Sequence, residues 1–182
     1  MGAMPRGPRS VTADTEFRAW AGHALTRLRR TAFLLCGDWD LADDLSQETL
    51  IRVYSSWGRI RDPGARDAYA ATTLVNRHRS YFRRASRREI PRGHDDFPDT
   101  AAPSSHPPND RVVAALAGLG PSQREIVVLR YWDDYSVADT ARILGLSVGT
   151  VTSQSSRALA TLRTVLAPSP DPASLTTSGE QP

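Results

Sequence analysis

Lysine is absent from this chain of 182 residues, cysteine occurs once, and no apolar run approaches the ~18 to 20 residues a membrane span needs. A lone Cys36 excludes an internal disulfide, and no Cys or His spacing suggests zinc, so neither a metal nor a cofactor is expected. Cys36 reads as a small buried hydrophobe on an amphipathic helix, with a redox-sensing thiol as the lesser alternative. The N-terminus lacks the apolar stretch of a signal peptide, which together with the missing span gives the expectation of a soluble, cytoplasmic protein. Neither half of the chain is long enough to bury a large enzyme-style core. The missing lysines carry no functional message of their own, because an Arg, Ala and Pro bias follows from a GC-rich genome.

What is present is charge, unevenly placed. The formal net charge is only +3. Yet Arg77, Arg79, Arg83, Arg84, Arg87, Arg88 and Arg92 crowd one segment, while Asp38, Asp40, Asp43, Asp44 and Glu48 crowd another. Two opposite electrostatic faces suit two kinds of partner. A run rich in Pro, Ser, Asp and His over residues 91–109 separates two stretches with helical patterning. The expected organisation is therefore a disordered N-terminus (1–12, with Met1-Gly2-Ala3 as a cloning remnant), a helical domain (13–90), a linker (91–109), a second helical domain (110–167) and a disordered tail (168–182).

The segment from Ser136 to Arg157 reads S-V-A-D-T-A-R-I-L-G-L-S-V-G-T-V-T-S-Q-S-S-R, the layout of a helix-turn-helix. Ser136 and Asp139 form a capping box, Ala141 permits a close helix crossing, Gly145 supplies a left-handed turn, and Ser147 caps a second helix. Val137, Ile143, Leu144, Leu146, Val151, Leu159 and Leu162 fall where helical periodicity buries them. Gly149, Thr150, Thr152, Ser153, Gln154, Ser156 and Arg157 are left exposed, a set of side chains able to reach base edges in a major groove. An ordinary αα-hairpin inside a helical core shares the same caps and turn glycine.

In the first half, Phe17, Trp20, Ala24, Leu28, Ala32 and Leu35 form a helical stripe from about Thr15 to Cys36, which Gly37 ends. Asp38 or Asp40 caps a second helix, whose Leu41, Leu45, Thr49, Ile51, Val53 and Tyr54 carry it to about Trp57. Asp40, Asp44 and Glu48 stand at successive i, i+4 positions with Asp43 and Gln47 in a neighbouring row. These like charges repel, so a basic partner surface or the helix dipole must account for them, unless the face is merely solvated. Asp62-Pro63 signals a third helix through Ala68, Tyr69, Ala71, Leu74, Val75 and Phe82 into the arginine run. Asn76, Arg79, Ser80, Arg83 and Arg84 line its exposed side, and with Trp57, Tyr54 and Tyr69 nearby the helix can bind phosphates and stack on unpaired bases. Each of those aromatics taken singly reads as core.

A-D-D-L-S-Q-E-T-L-I-R-V-Y (42–54) resembles the core-polymerase-binding segment of bacterial sigma-70-type initiation factors. L-G-P-S-Q-R-E-I-V-V-L-R-Y-W-D-D-Y-S-V-A-D-T-A-R-I-L-G-L-S-V-G-T-V (119–151) resembles their minus-thirty-five-reading domain. With two domains and a short linker, the chain is similar to the extracytoplasmic-function (ECF, group 4) members, in an actinobacterial style of composition, over about residues 17–166. The resemblance implies an all-α fold of a sigma region 2 bundle and a sigma region 4 helix-turn-helix domain. It implies a non-enzymatic subunit that binds core RNA polymerase and promoter DNA, helps to melt the promoter, and is held by an anti-sigma factor.

By position, the resemblance places Asp43, Asp44, Gln47 and Glu48 against the polymerase. It gives Trp57, Arg61, Asn76, Arg79, Ser80, Arg83 and Arg84 to the minus-ten element, with the loop over residues 59–66 capturing a flipped base. Ser147, Thr150, Thr152, Ser153, Gln154, Ser156 and Arg157 go to the minus-thirty-five element, with Arg124 and Arg130 as phosphate contacts. The linker would thread toward the RNA exit path. Two departures stand out: many members carry basic residues where this chain has Thr152 and Gln154, and a bulky residue near Ser155 and Ser156. The other readings are a helix-turn-helix regulator that binds intact duplex without polymerase, and a metal-dependent nuclease using Asp40, Asp44 and Glu48.

Overall fold

The computed structural model describes residues 11–87 and 109–167, and among them all regular structure is helical. Met1-Gly2-Ala3, most of the expected linker, the expected tail, Arg88 and Arg92 lie outside the described residues. Helix α1 (Val11–Cys36) starts four residues ahead of the expected Thr15, whose hydroxyl donates back to the Val11 carbonyl. Gly37, at φ 74°, lets the chain reverse. Asp38 then caps α2 (Trp39–Ser56) by accepting from the Leu41 amide at 3.0 Å. Phe33 and Trp39 stack face to face across this corner, 3.9 Å apart.

α2 buries Leu41, Ala42, Leu45, Thr49 and Val53, and its buried Ser46 and Thr49 hydroxyls return to the carbonyls of Ala42 and Leu45. Ile51, expected in the stripe, is 67% exposed. It follows Thr49 by two residues, about 200° round a helix, and so points away from the core. After a 3₁₀ turn (Trp57–Arg59), the Asp62-Pro63 pair does not open a helix directly. The Asp62 carboxylate accepts from the Gly64 amide and its carbonyl from that of Ala65, making a turn that feeds α3 (Ala65–Arg87) two residues later. α1, α2 and α3 close around Ala24, Leu28, Ala32, Leu45, Val53, Trp57, Ala70 and Leu74. Tyr69 and Phe82, expected on the apolar stripe of α3, are instead half-exposed.

In the second half, Asn109 caps α4 (Asp110–Ala117). α5 (Pro121–Val127), with Pro at its first position, runs on as a π-helical turn (Val128–Trp132). α6 (Val137–Leu144) and α7 (Val148–Leu166) follow. Ile126, Leu129, Ile143, Leu144, Val151, Ala158 and Leu162 form their core, which continues without a break into Leu34, Leu35, Ala71 and Val75 of the first bundle. The two domains therefore meet along an apolar seam.

At one edge of that seam the Thr31 hydroxyl lies 2.9 Å from the Arg27 carbonyl and 2.9 Å from the Asp133 carboxylate. One proton cannot serve two acceptors. Burial pushes Asp133 up to about 6, against the opposing pull of Thr31 and of Arg27. A carboxyl raised in the folded state stabilises the fold when protonated, and that contribution is lost as pH rises through about 6. Asp133→Asn, which keeps a donor for Thr31 at every pH, is expected to add on the order of 2 kcal/mol at pH 7.5. It should also flatten the stability profile between about pH 4 and 6, the span between the ordinary and the raised carboxyl value, as read by chemical denaturation.

Candidate functional site

Three surfaces gather the residues picked out by sequence. The first is the helix-turn-helix. Ser136 accepts from the Asp139 amide at 3.0 Å, and its hydroxyl donates to the Asp139 carboxylate at 2.6 Å, which fixes the start of α6. Ala141 is buried at the crossing, and Gly145, at φ 67°, receives the left-handed turn that a Cβ would strain. Ser147 accepts from the Thr150 amide at 3.0 Å and sets the first turn of α7. Val151, Ser155 and Ala158 face the core, which leaves Gly149, Thr152, Ser153, Ser156 and Arg157 exposed, with Thr150 and Gln154 half-buried. The Thr152 and Ser153 hydroxyls donate to the Val148 and Thr150 carbonyls, so the tip of this helix presents one cation, Arg157, among neutral side chains.

Arg124 and Arg130, the expected phosphate contacts, have work inside the protein. Arg124 donates to the carbonyls of Leu116, Ala117 and Leu35 at 2.8, 2.6 and 3.0 Å, which satisfies the end of α4 and ties it to α1. Burial draws its pKa down from the ordinary arginine value. Arg130 donates to the Tyr135 carbonyl at 2.8 Å and sits over the Tyr131 ring. Both guanidinia are engaged with their own chain in this conformation.

The second surface is the acidic ridge of α2. Asp44, Gln47 and Glu48 are exposed on adjacent turns. Asp43 is half-buried and bidentate to Arg29, a guanidinium that also lies 4.7 Å over the Trp39 ring, whereas Glu48 meets Arg77 at a loose 3.4 Å. Asp43 thus spends much of its charge within the bundle, and the solvent-facing negative charge of the ridge belongs to Asp40, Asp44 and Glu48.

The third surface is α3 with the loop before it. Asn76, Arg83 and Arg84 are exposed, Ser80 is half-buried, and Arg61 is exposed on the loop. Trp57 stands differently. It is 3% exposed, packed edge-on to Phe17 and tilted against Trp20, with the Arg66 guanidinium 4.0 Å above its ring. In this conformation it offers no face to a base. Tyr54 and Tyr69 retain exposed edges while their hydroxyls donate to Asp14 and Ser56.

Arg79 is the other exception. Its Nε and Nη2 donate to Glu125 at 3.0 and 2.6 Å, and its Nη1 to the Leu144 carbonyl at 3.2 Å. Glu125, a buried carboxylate on α5, has no local signal in the sequence, because a glutamate at the edge of an apolar run normally meets solvent. Burial pushes its carboxyl up, but His78, 3.8 Å away, and Arg79 outweigh this and hold it below the ordinary value.

The profile described as Sigma-70 region 2 matches residues 20–88, and that described as Sigma-70, region 4 matches residues 109–162. An RNA polymerase sigma-E factor of Streptomyces avermitilis is 36% identical over 151 residues, covering 81% of this chain and 83% of the relative. The ECF RNA polymerase sigma factor EcfG of Rhodopseudomonas palustris is 33% identical over 147 residues, covering 79% and 81%. Among solved structures, the sigma factor RpoE of Bartonella quintana, in complex with the anti-sigma factor NepR, superposes with a TM-score of 0.71 at 28% identity, covering 83% of this chain and 96% of that one. CnrH, in complex with the cytosolic domain of CnrY, superposes with a TM-score of 0.54 at 26% identity, covering 84% and 86%. The bundle of α1 to α3 and the helix-turn-helix of α6 and α7 thus match the two conserved parts of one kind of initiation factor, and the chain belongs to the sigma-70 family, among the ECF RNA polymerase sigma factors.

Proposed function

We propose that the chain is an alternative sigma factor that docks on core RNA polymerase through Asp44, Gln47 and Glu48 of α2. It reads the minus-ten element with α3 and the loop over residues 59–66, reads the minus-thirty-five element with α7, and promotes melting at the start site. The observation that carries this reading is the pairing, in one chain, of an outward acidic ridge with an outward helix-turn-helix tip. A regulator that only grips duplex DNA has no use for the ridge. The chain's contribution is binding and positioning, in the cytoplasm where polymerase works, and the chemistry of RNA synthesis stays with the polymerase. RpoE and CnrH were each solved with a partner, an anti-sigma factor in the case of RpoE, and this supports an anti-sigma partner here as well.

Transcription by core polymerase plus this chain on genomic DNA, followed by mapping of RNA 5′ ends, tests the reading. Reproducible start sites that share upstream elements are expected, and their absence would sink it.

The near-neutral tip of α7 has its own consequence. Each phosphate contact contributes about 0.9 to the slope of log affinity against log salt, so lacking cations at Thr152 and Gln154 lowers that slope by about two. Arg157→Ala is expected to reduce promoter affinity of the holoenzyme by about 1 to 3 kcal/mol if the guanidinium grips a base edge. Binding titrations across a salt series measure both effects. A steep slope in the unsubstituted protein, or no response to Arg157→Ala, would remove α7 from the specificity argument.

A further inference from the structure

The outward face of α2 carries one side chain that neither the bundle nor the row of carboxylates accounts for. Ile51 is 67% exposed, and among the described residues only Val11, at the start of α1, is a more exposed large hydrophobic. Isoleucine is a poorer helix former than the nearby Gln47, Glu48 and Arg52, so the helix gains nothing from it at an exposed position. The core gains nothing either, since Leu45, Thr49 and Val53 supply the buried side of this stretch. The direction of Ile51 is more telling. With Asp44 taken as zero and about 100° added per residue, Asp40 stands at about −40°, Gln47 at about −60°, Glu48 at about 40° and Ile51 at about −20°. Ile51 thus shares the mean direction of these exposed polar side chains and lies about 5 Å further along the axis than Gln47 and Glu48. Leu45, Thr49 and Val53, at about 100 to 180°, point the other way. Asp43, at about −100°, is turned to the flank and held by Arg29. The solvent-facing surface of α2 is therefore a polar, acidic row that ends on an apolar knob. A lone surface hydrophobe is ordinary, but one aligned with a charged docking row matches the centre of a protein interface, where an apolar anchor is ringed by polar groups that exclude water.

We propose that Ile51 is the apolar anchor of the contact with core polymerase, buried on docking in an apolar pocket whose rim carries the cations that meet Asp40, Asp44 and Glu48. The proposal rests on the reading of the α2 ridge as the docking surface, and it extends that surface one turn toward the C-terminal end of the helix. Continuity selects this occupant. A standard interface covers about 800 Å² of each partner, far more than these polar side chains supply, so it reaches the next turn of the same face. The two kinds of group then divide the work. The carboxylates attract and orient a basic partner over a distance, and Ile51 supplies a part of the affinity that salt does not screen.

The test uses the full chain and purified core polymerase. Affinity is measured at about 0.1 M and about 0.5 M salt for the unsubstituted protein, Ile51→Ala, Ile51→Val, and Asp44→Arg combined with Glu48→Arg. Ile51→Ala is expected to weaken binding by about tenfold or more at both salt concentrations, and Ile51→Val by only a few-fold, the graded loss that hydrocarbon burial gives. The double charge reversal should instead lose most at low salt, where charges are least screened. By calorimetry, the heat-capacity change of binding should become less negative in Ile51→Ala, a readout that a residue acting only through helix stability would leave alone. Melting should stay within about a degree or two of the parent, because the side chain is exposed. Binding by Ile51→Ala equal to the parent's, a loss that fades at high salt as the charge reversal's does, or a melting temperature lowered by several degrees would each overturn the anchor. If the charge reversal weakens binding while Ile51→Ala does not, only the anchor falls; if neither does, the docking assignment falls with it.

Discussion

Replacing Trp57 with alanine is expected to cost about 3 to 5 kcal/mol of stability, the range for emptying a fully packed tryptophan site. The indole is where the ends of three helices converge: Phe17 and Trp20 from α1 at 5.2 and 5.3 Å, and Arg66 from the start of α3 at 4.0 Å. Truncation opens a cavity beneath Arg66 and removes a cation–π contact that also orients the Arg66–Glu16 pair. A loss of this size should lower the melting temperature by on the order of 10 °C in a chain of this length. Trp57→Phe should recover most of it, because an aromatic disc still fills the space. If Trp57 served only to stack on a base, alanine would leave the melting temperature untouched and weaken minus-ten binding alone. Paired measurements of melting and of strand binding separate the two roles.

Reversing two exposed charges of the α2 ridge, Asp44→Arg together with Glu48→Arg, is expected to weaken binding to core polymerase by at least tenfold, or about 1.4 kcal/mol. Setting like charges against a basic docking surface costs several kcal/mol, whereas a mere loss of attraction at an exposed rim costs little. Within the chain both residues are exposed, and the Glu48 contact to Arg77 at 3.4 Å is worth a few tenths of a kcal/mol at most. Melting should therefore move by only a degree or two. Asp43→Ala should behave in the opposite sense. Its carboxylate is bidentate to Arg29, so it gives up stability before it gives up affinity. Unchanged affinity in the double reversal, with an intact melting profile, would mean that polymerase docks elsewhere.

The parts of this protein that could be read from sequence are those whose causes are local. A capping serine, a glycine at positive φ and a small residue at a crossing act within a few positions of one another, and each of Ser136, Ala141, Gly145 and Ser147 stands in the expected role. The acidic ridge was visible for the same reason, since i, i+4 spacing alone puts Asp44 and Glu48 side by side. Residues whose surroundings come from afar were not readable in this way. Arg79 meets Glu125 across 46 positions, Arg124 meets Leu35 across 89, and Thr31 meets Asp133 across 102. An arginine beside a DNA-reading motif looks the same in sequence whether it awaits a phosphate or caps a neighbouring helix. Ile51 and the late start of α3 belong to a third kind. There an apolar residue, and a proline that starts turns as readily as helices, fit two local geometries, and packing chose between them.

The corner at Gly37 also settles how this factor would meet an oxidising shock. The Cys36 thiol donates to the Asp38 carbonyl at 3.2 Å, and burial pushes it up to about 12. Peroxide attacks the thiolate, a form that such a thiol scarcely populates at neutral pH. Oxidation at Cys36 is therefore expected to be slow, and a redox signal to this protein is better carried by a partner than by that buried thiol.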